Sequence, residues 1–494
     1  MEMLRPRWLR DNAEQEGEAL LTEKKHWHDA FTAGPRGLFK LRLHSIGSLF
    51  AQSPSLHESS YLDGLRGVAC LFVVFHHVTT GFYPWLEMGY GAPDPTLNSG
   101  GEPLPNFSLL SLPILRLIHS GGAMVDIFFN ISGYVLSLKS VKMARENNIA
   151  GLYESLGGSV FRRGPRLYFP MFAVGLFAAI AAQIGLCHPY FYLWRYPVSG
   201  SMYWQLKVWF WNSMRSISYW TVGNPWEPVF WTIPVEFRGS ILVFVTQMGL
   251  ARRSPRLRLI FLVAMMLFWM WHQNPSEWMF SAGMVCAELH FWHTPIQPSR
   301  TATSTMPDLE PGHKPTQNNR RNLRREAGLS MILVILLYLL STPDPGHGQT
   351  LSYGYQTLTT TLTLPQYRGW APMSADSFWP CVSAFFLVLL LDFAGSTSYL
   401  QQLFCTRLAQ WLGKVSFSMY LWHHVVMQMI FSPAAKAVAE YYGILNPWVP
   451  SYQSGAIVIG VGLLWFPILA WISEISTRTL DVWGIKLARK MMDW

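Results

Sequence analysis

The clearest chemical signal in the sequence is an arginine and a histidine inside one apolar run. The run reads YLDGLRGVACLFVVFHHV from Tyr61 to Val78. Ionisable side chains are costly inside a bilayer, so those that occur there usually have a function. Arg66 and His77 are eleven residues apart, which places them on one helical face about 16 Å apart along its axis, whereas His76 points elsewhere. Because neutral imidazole accepts protons near pH 7, His77 is a candidate general base.

This spacing suits a long substrate that lies along the helix. A phosphate-rich head would be held by Arg66, and a reactive end would reach His77. Coenzyme A thioesters have that shape. The alternative without catalysis is that Arg66 anchors the helix at the membrane interface and His77 makes a hydrogen bond between helices.

Further polar groups lie at a similar depth in other apolar runs. Counting 1.5 Å per residue from the outer end of each run gives depths of about 7 to 12 Å for His77, Asp126, Glu236, His423 and His424. We therefore predict that these side chains meet in one polar cavity, in which His423 and His424 either line the cavity or only pack.

A second basic motif, FRRGPR, occupies residues 161–166 and precedes another apolar run. Arg163 and Arg166 would share one face of a starting helix at the cytosolic surface. Arginines there bind phosphate in a bidentate geometry, but positive charge at that surface also follows from membrane topology alone. The motif by itself leaves both interpretations open.

Composition places these residues in a polytopic membrane protein. The chain has 494 residues, of which 50% are hydrophobic and only 14% are charged. Since a membrane helix needs roughly 20 apolar residues, we predict an all-α bundle of about ten transmembrane helices. The predicted spans are 62–83, 121–138, 168–186, 229–250, 258–273, 276–292, 327–341, 376–393, 413–431 and 453–475. The formal charge of +9 flanks these runs, which indicates topology and not nucleic-acid binding.

Charge distribution predicts which ends face the cytosol. With both termini in the cytosol, 28 of the 38 lysines and arginines lie on the cytosolic side and 6 lie outside, as the positive-inside rule requires. We predict a cytosolic segment at 1–58, a membrane domain at 59–480 with a flexible cytosolic loop at 293–326, and a short cytosolic tail at 481–494. No cleaved signal peptide is expected. The aromatic outer loop 187–228 would lie over the bundle as a lid.

Several other polar residues receive simpler interpretations. The five cysteines are dispersed, so neither a CxxC metal site nor a disulfide framework is predicted, and no metal or tightly bound cofactor is expected. Asn106 opens an NFS glycosylation motif in a predicted outer loop. Asp392 and Glu288 lie near helix ends, where solvation is the simpler explanation for a carboxylate.

Four stretches resemble the acyltransferase 3 family, and its fungal members in particular. They are LDGLRGVACLFVVFHH (62–77), GGAMVDIFFNISGYVLSL (121–138), FRRGPRLYFP (161–170) and PWEPVFWTIPVEFRGSILVF (225–244), and KVSFSMYLWHH (414–424) looks like the late-helix motif of the family. The resemblance implies a core of about ten helices that transfers an acyl group from cytosolic acyl-CoA to a hydroxyl of a sugar, lipid or small metabolite. The arginine of LRG and the histidine eleven residues later match Arg66 and His77. The chain departs from the pattern at the extra His76 and at Asn130.

The predicted mechanism is removal of the acceptor's hydroxyl proton by His77 while that oxygen attacks the thioester carbonyl. Asp126 or Glu236 would orient the imidazole and stabilise its protonated form. The candidates for binding the CoA phosphates are Arg66, Arg163 and Arg166. An acyl-histidine intermediate is a variant of the same scheme.

Two rival functions use the same residues. A transporter or flippase would employ the buried charges as a permeation path, with uptake that does not depend on acyl-CoA. The unrelated membrane-bound O-acyltransferase class also relies on an intramembrane histidine, but the LDGLRG and SGYVLS stretches argue against it.

Overall fold

The computed structural model describes residues 56–94, 102–188, 195–218, 228–294, 319–343, 351–367, 378–444 and 451–492. Most of these residues are helical. A two-residue ladder pairs Pro93–Asp94 (β1) antiparallel with Leu104–Pro105 (β2). Most of the predicted N-terminal segment, most of the predicted loop 293–326, and Trp194, Trp220 and Trp226 of the outer loop lie outside the described residues.

Helices in the described part of the chain follow the apolar runs of the sequence. They are α1 (Ser60–Phe82), α2 (Gly121–Arg145), α3 (Ile149–Gln183), α4 (Met202–Ser218), α5 (Thr232–Leu250), α6 (Pro255–Trp271), α7 (Pro275–His293), α8 (Asn319–Leu340), α9 (Phe378–Ala394), α10 (Tyr399–Phe404), α11 (Arg407–Val426), α12 (Ser432–Tyr441), α13 (Tyr452–Ser476) and α14 (Val482–Met492). Every predicted span overlaps one of these helices.

Within the described residues, five helical stretches are long and apolar enough to cross a membrane. They are α1, α2, α3, the segment Val229–Leu250 that contains α5, and the segment Tyr452–Met492 that contains α13 and α14; α9 is a shorter apolar helix. The predicted all-α fold is confirmed, with these five stretches as candidate membrane spans. The count of about ten crossings stays a prediction, because the remaining predicted spans lie on helices that are shorter or more polar.

Helix α3 begins earlier than the sequence predicted. It is a continuous helix of 35 residues, whereas hydropathy placed its start near residue 168. The first turns alternate polar and apolar residues, so an apolar window misses them. Arg163 and Arg166 therefore lie in the middle of a helix and not at its start. Pro165 and Pro170 lie inside the same helix, where each removes a backbone donor and favours a bend.

Residues 481–492 of the segment predicted as a C-terminal tail are helical. After a π-helical turn, α14 follows α13 and packs on α3. A Cβ placed on Gly484 would lie 3.4 Å from the carbonyl oxygen of Pro165 and 3.6 Å from the Cα of Arg166. This packing brings Asp481 beside the arginines of α3, so the end of the chain contributes to their surroundings.

Glycines set the close packing of α1 against α11. A Cβ on Gly67 would lie 2.3 Å from the backbone nitrogen of Gly413, and a Cβ on Gly64 would lie 1.8 Å from the carbonyl oxygen of Phe404. Both distances are shorter than any real contact, so only glycine lets the two backbones approach this closely. Gly67 therefore sets the packing of α1 against α11, and Gly64 sets its packing against the end of α10, where Phe404 lies.

We expect Gly67→Ala to destabilise the protein, because an added methyl group must push α1 away from α11. Overpacking of this kind costs about 1–3 kcal/mol. Thermal unfolding in detergent measures the effect. The matched control is Gly460→Ala on α13, where a Cβ would meet no heavy atom within 4 Å and helix propensity favours alanine. Equal melting temperatures for the two variants would contradict this account of the packing.

A second close crossing joins α2 to α7. A Cβ on Gly133 would lie 2.3 Å from the Phe280 carbonyl oxygen, and one on Gly283 would lie 2.3 Å from the Asn130 carbonyl oxygen. The Asn130 amide, fully buried, donates to the Ala384 carbonyl on α9 at 3.0 Å. The departure of Asn130 from the family pattern thus has a structural role, since it ties α2 to a third helix.

The predicted glycosylation site at Asn106 is wrong. The side chain is 1% exposed and its amide nitrogen donates to two backbone carbonyls and to the Ser111 hydroxyl, at 2.8 to 2.9 Å. An amide nitrogen so enclosed cannot carry a glycan. It anchors the segment between α1 and α2 instead.

Two carboxylates assigned to solvent are buried in polar networks. Glu288 is completely buried and pairs with Arg145 at 2.5 Å and with Arg258 at 3.0 Å. Asp392 is 6% exposed and accepts a hydrogen bond from Tyr134. Because both residues lie near helix ends, the sequence predicted that water solvates their carboxylates. Tertiary contacts that the sequence does not reveal enclose both groups instead.

Candidate active site

A cluster of histidines lies where α1 and α11 run side by side. The ring centroid of His77 is 5.0 Å from that of His423 and 6.0 Å from that of His424. His423 and His424 are buried, whereas His77 is partly exposed. The structure brings these three predicted residues together, and their depth in a membrane stays a prediction.

The two ring nitrogens of His423 differ in their hydrogen bonding. Its Nδ1 lies 2.8 Å from the Tyr420 carbonyl oxygen, so this nitrogen donates its proton to the carbonyl. In a neutral ring the Nε2 atom is then a bare acceptor. Among the described residues, no hydrogen-bond partner reaches this buried Nε2. A hydroxyl group that entered the cluster would find an acceptor there as well as at His77.

His76 has different surroundings from its neighbour. Its Nδ1 lies 2.8 Å from the His119 carbonyl oxygen and 3.8 Å from Glu87 Oε1. Burial, together with the nearby Arg116, lowers the pKa of His119 to about 4, so that ring is neutral near pH 7. His76 is therefore bound to the segment that covers this end of the bundle, while His77 faces α11.

A separate cavity of about 260 Å³ contains the three arginines predicted to bind phosphate. Its polar lining has four cations and two carboxylates: Arg66, Arg163, Arg166, Lys414, Glu236 and Asp481. Its apolar lining includes Val125, Phe128, Phe129, Ile233 and Tyr420. The excess of positive charge together with the apolar surface suits an anionic head that carries an uncharged arm.

In the structure Glu236 pairs with an arginine of the cavity, and its predicted role beside His77 stays a prediction. Its carboxylate accepts a hydrogen bond from Arg163, whose Nε also donates to the Ser240 hydroxyl at 2.9 Å. Glu236 therefore neutralises one arginine of the cavity and fixes its direction. Helical spacing does not show the side of the bundle that Glu236 faces.

Asp126 also faces another helix. It is 5% exposed, and its carboxylate lies within hydrogen-bonding reach of the Cys381 thiol on α9. The partner that the structure gives this carboxylate is thus a thiol. A role for Asp126 in orienting His77 stays a prediction.

Tyr420 joins the arginine cavity to the histidine cluster. It lines the cavity, and its ring centroid is 5.7 Å from that of His423. Its hydroxyl donates to the Val229 carbonyl at 2.8 Å and accepts from Thr232 at 3.0 Å, which holds the ring between α5 and α11. Tyr420 therefore lies between the arginine cavity and the histidine cluster.

Comparison with known proteins identifies the family to which this arrangement belongs. The family model described as an acyltransferase domain matches residues 59–473, a range that includes every motif discussed above. The chain belongs to the acyltransferase 3 family. It is therefore an acyltransferase, as its motifs implied.

Three fungal acyltransferases are similar to the chain. It is 30% identical to O-acetyltransferase PaAT-1 of Phomopsis amygdali over 394 residues, which cover 74% of this chain and 72% of the relative. It is 25% identical to acyltransferase R4 of a Phoma species over 411 residues and to acyltransferase clz18 of Cochliobolus lunatus over 434 residues, each match covering 74% of this chain and 82% of the relative. No solved structure matches the chain significantly.

Several site residues of this acyltransferase were missed by sequence reasoning. Asp481 was placed in a tail, and Lys414 was counted only as a charge within a span, yet both line the cavity. His423 was weighed as a lining residue, but the bare Nε2 depends on a backbone contact that spacing does not show. The adjacent pair of histidines in KVSFSMYLWHH was the signal that pointed to it.

Proposed function

We propose that this acyltransferase transfers an acyl group from acyl-CoA to a hydroxyl of a small metabolite, sugar or lipid, at a site inside the membrane. The observation that carries the proposal is that Tyr420 lines the arginine cavity and packs against His423, whose ring lies beside that of His77. A donor with an anionic head at the arginines and a thioester at the end of a long arm would extend from the cavity to the histidines.

The donor's phosphates would bind at the arginines of the cavity. Arg163 is already paired with Glu236, and Arg66 donates to Asp63 at 2.6 Å. Arg166, by contrast, makes no side-chain hydrogen bond within the described part of the chain, and it is exposed in the cavity lining. Arg166 is thus the cation best placed to receive a phosphate. Charge counts put the arginines on the cytosolic side, where acyl-CoA is available, with both termini also in the cytosol.

The transfer step would occur at the histidine cluster. The acceptor's hydroxyl hydrogen-bonds to His77, which takes its proton as the oxygen attacks the thioester carbonyl. The carbon–sulfur bond then breaks, the ester forms, and the CoA thiolate takes a proton to leave as a thiol. His423 Nε2 can hold the same hydroxyl in position. Attack by His77 itself, giving an acyl-histidine, is the covalent variant.

Acetyl is the acyl group that we propose first. The relative PaAT-1 is named an O-acetyltransferase, and the three similar proteins come from fungi, in which acylation of secondary metabolites would suit a hydroxylated acceptor.

Release of CoA tests the proposed donor. We expect purified protein in detergent to release free thiol from acetyl-CoA, slowly with water as the acceptor and faster when a hydroxylated acceptor is added. The same protein in liposomes tests the transport alternative. Solute uptake that needs no acyl-CoA, with no thiol release from any acyl-CoA tested, would overturn the proposal.

Glu236→Gln distinguishes the cavity role of this carboxylate from a role beside His77. Because glutamine removes a negative charge from the arginine cavity, we expect the KM for acyl-CoA to stay equal or to fall, and the pH profile of kcat to keep its shape. Steady-state kinetics over a range of pH measures both. A drop in kcat with a shifted pH profile would instead indicate that Glu236 acts on His77.

A further inference from the structure

A second cluster of metal-ligating side chains lies at the C-terminal ends of α7 and α9, apart from the histidine cluster of α1 and α11. His290 and His293 come from α7, and Asp392 comes from α9. One ligand atom from each of the three residues lies within 4.8 Å of the others. Asp392 and His290 are buried, at 6% and 7% exposure, while His293 is at the surface. The cluster is therefore closed on one side and accessible on the other.

The two oxygens of Asp392 have different surroundings. Oδ1 accepts hydrogen bonds from the hydroxyls of Tyr61 at 3.1 Å and Tyr134 at 2.9 Å. Oδ2 is buried and, among the described residues, accepts no hydrogen bond. It lies 3.2 Å from Nε2 of His293. The tyrosines thus fix the carboxylate so that its second oxygen points at the histidine.

The His293 ring presents a lone pair to that oxygen. Its Nδ1 lies 3.0 Å from the Leu289 carbonyl oxygen, so the ring proton of the neutral form is on Nδ1 and Nε2 is bare. A bare nitrogen and a carboxylate oxygen at 3.2 Å repel each other unless a proton or a metal ion lies between them. A ring held by a backbone carbonyl through its other nitrogen is also the usual arrangement of a metal-bound histidine.

His290 shows the same preference for a cation. Its Nδ1 is 2.9 Å from Asp392 Oδ1, and its Nε2 is 3.3 Å from Oε1 of Glu58. Both ring nitrogens therefore face carboxylates, although a neutral ring can donate only one proton. A neutral ring that donates its proton from Nε2 to Glu58 leaves Nδ1 bare beside Asp392, where a metal ion would take the place of a second proton.

We propose that this cluster binds a divalent metal ion, with His290, His293 and Asp392 as ligands and Glu58 as the acceptor of the proton on His290 Nε2. Two imidazole nitrogens and one carboxylate oxygen, with water in the fourth position, are typical of Zn²⁺. The ion would join the ends of α7 and α9, and its ligands would bind the start of α1 through Glu58 and Tyr61. It would stabilise the base of the helix that carries Arg66 and His77, and it takes no part in the transfer step.

Metal content of the purified full-length protein tests this site. The protein is purified in detergent with a tag that contains no histidine, stripped with a chelator, equilibrated with Zn²⁺ and analysed by elemental mass spectrometry. We expect about one zinc ion per chain in the wild type and near none in His293→Ala or Asp392→Asn. The matched control is His272→Ala, an exposed histidine at the end of α6, which should keep the wild-type content.

Tyr134→Phe separates a metal site from a plain hydrogen-bond network. Loss of the hydroxyl that orients Asp392 should weaken Zn²⁺ binding about 10–100-fold, as removal of an outer partner of a metal ligand usually does. Visible absorption of the Co²⁺-loaded protein reports the ligand set directly and should disappear in His293→Ala. His293 lies at the surface, so that variant is expected to elute as a single folded species.

Two results would overturn the site. One is a wild-type protein that retains no more Zn²⁺ than His293→Ala after equilibration. The other is a metal content that Asp392→Asn leaves unchanged. Either would mean that protonated histidines alone balance the carboxylates.

Discussion

His77→Ala should reduce acyl transfer by at least about 100-fold while leaving acyl-CoA binding intact. A positioned general base contributes about 10²- to 10⁴-fold to a rate, and the acceptor hydroxyl would lose the group that takes its proton. The arginine cavity does not include His77 in its lining, so the donor should still bind. Initial rates at saturating acetyl-CoA, with binding measured on the same preparation, give both quantities.

The matched control for this variant is His76→Ala. The two histidines are adjacent and similarly exposed, but His76 is held by the His119 carbonyl. Its loss should affect stability more than turnover. His423→Ala should lower kcat as well, because the bare Nε2 beside His77 would be lost. Normal turnover by a folded His77→Ala protein, or equal losses in His76→Ala and His77→Ala, would refute the assignment of the base.

Arg166→Ala should weaken acyl-CoA binding by about 10- to 100-fold with a much smaller effect on kcat. A hydrogen bond between charged groups contributes roughly 1.5–3 kcal/mol, and Arg166 makes no side-chain hydrogen bond in the described ranges, although the Asp481 carboxylate lines the same cavity. Arg163→Ala is a poorer test, because it would also leave Glu236 buried without its cation. Equilibrium binding of a labelled acyl-CoA measures the effect, and Arg166→Lys should restore part of it.

Arg162→Ala is the matched control, since it removes an arginine from the same FRRGPR motif. The Arg162 guanidinium lies near the Ser159 hydroxyl and the Met492 sulfur, both at 3.5 Å, and it does not line the cavity. Its loss should leave donor affinity unchanged. Equal weakening by Arg162→Ala and Arg166→Ala would indicate a diffuse effect of charge in place of a phosphate site.

The sequence predicted the presence of the helices better than the residues at which they begin and end. Long apolar runs located α1, α2 and α5 closely, because burial in a bilayer demands continuous apolar surface. The first turns of α3 and the whole of α14 were missed, because amphipathic helices at the margin of the bundle expose a polar face. The resulting error moved Arg163 and Arg166 from the start of a helix to its middle.

The sequence predicted site residues correctly where only their position along the helix axis was needed. It missed contacts that depend on the direction of a side chain around that axis. Counting residues along each span placed His77 with His423 and His424 correctly, since helix rise is nearly constant. The same count could not show that Glu236 turns toward Arg163, because rotation about the helix axis depends on packing with neighbouring helices. Contacts between distant segments, such as Asp392 with the histidines of α7, leave no local pattern in the sequence.

Binding and turnover measured together on the wild type, Arg166→Ala and His77→Ala test the central claim most directly. We predict that Arg166→Ala loses acyl-CoA binding but keeps most of its kcat at saturating donor, and that His77→Ala binds acyl-CoA normally but does not transfer the acyl group. This split would establish a donor site at the arginine cavity and a base at the histidine cluster. Loss of binding in His77→Ala, or normal binding in Arg166→Ala, would contradict that division of roles.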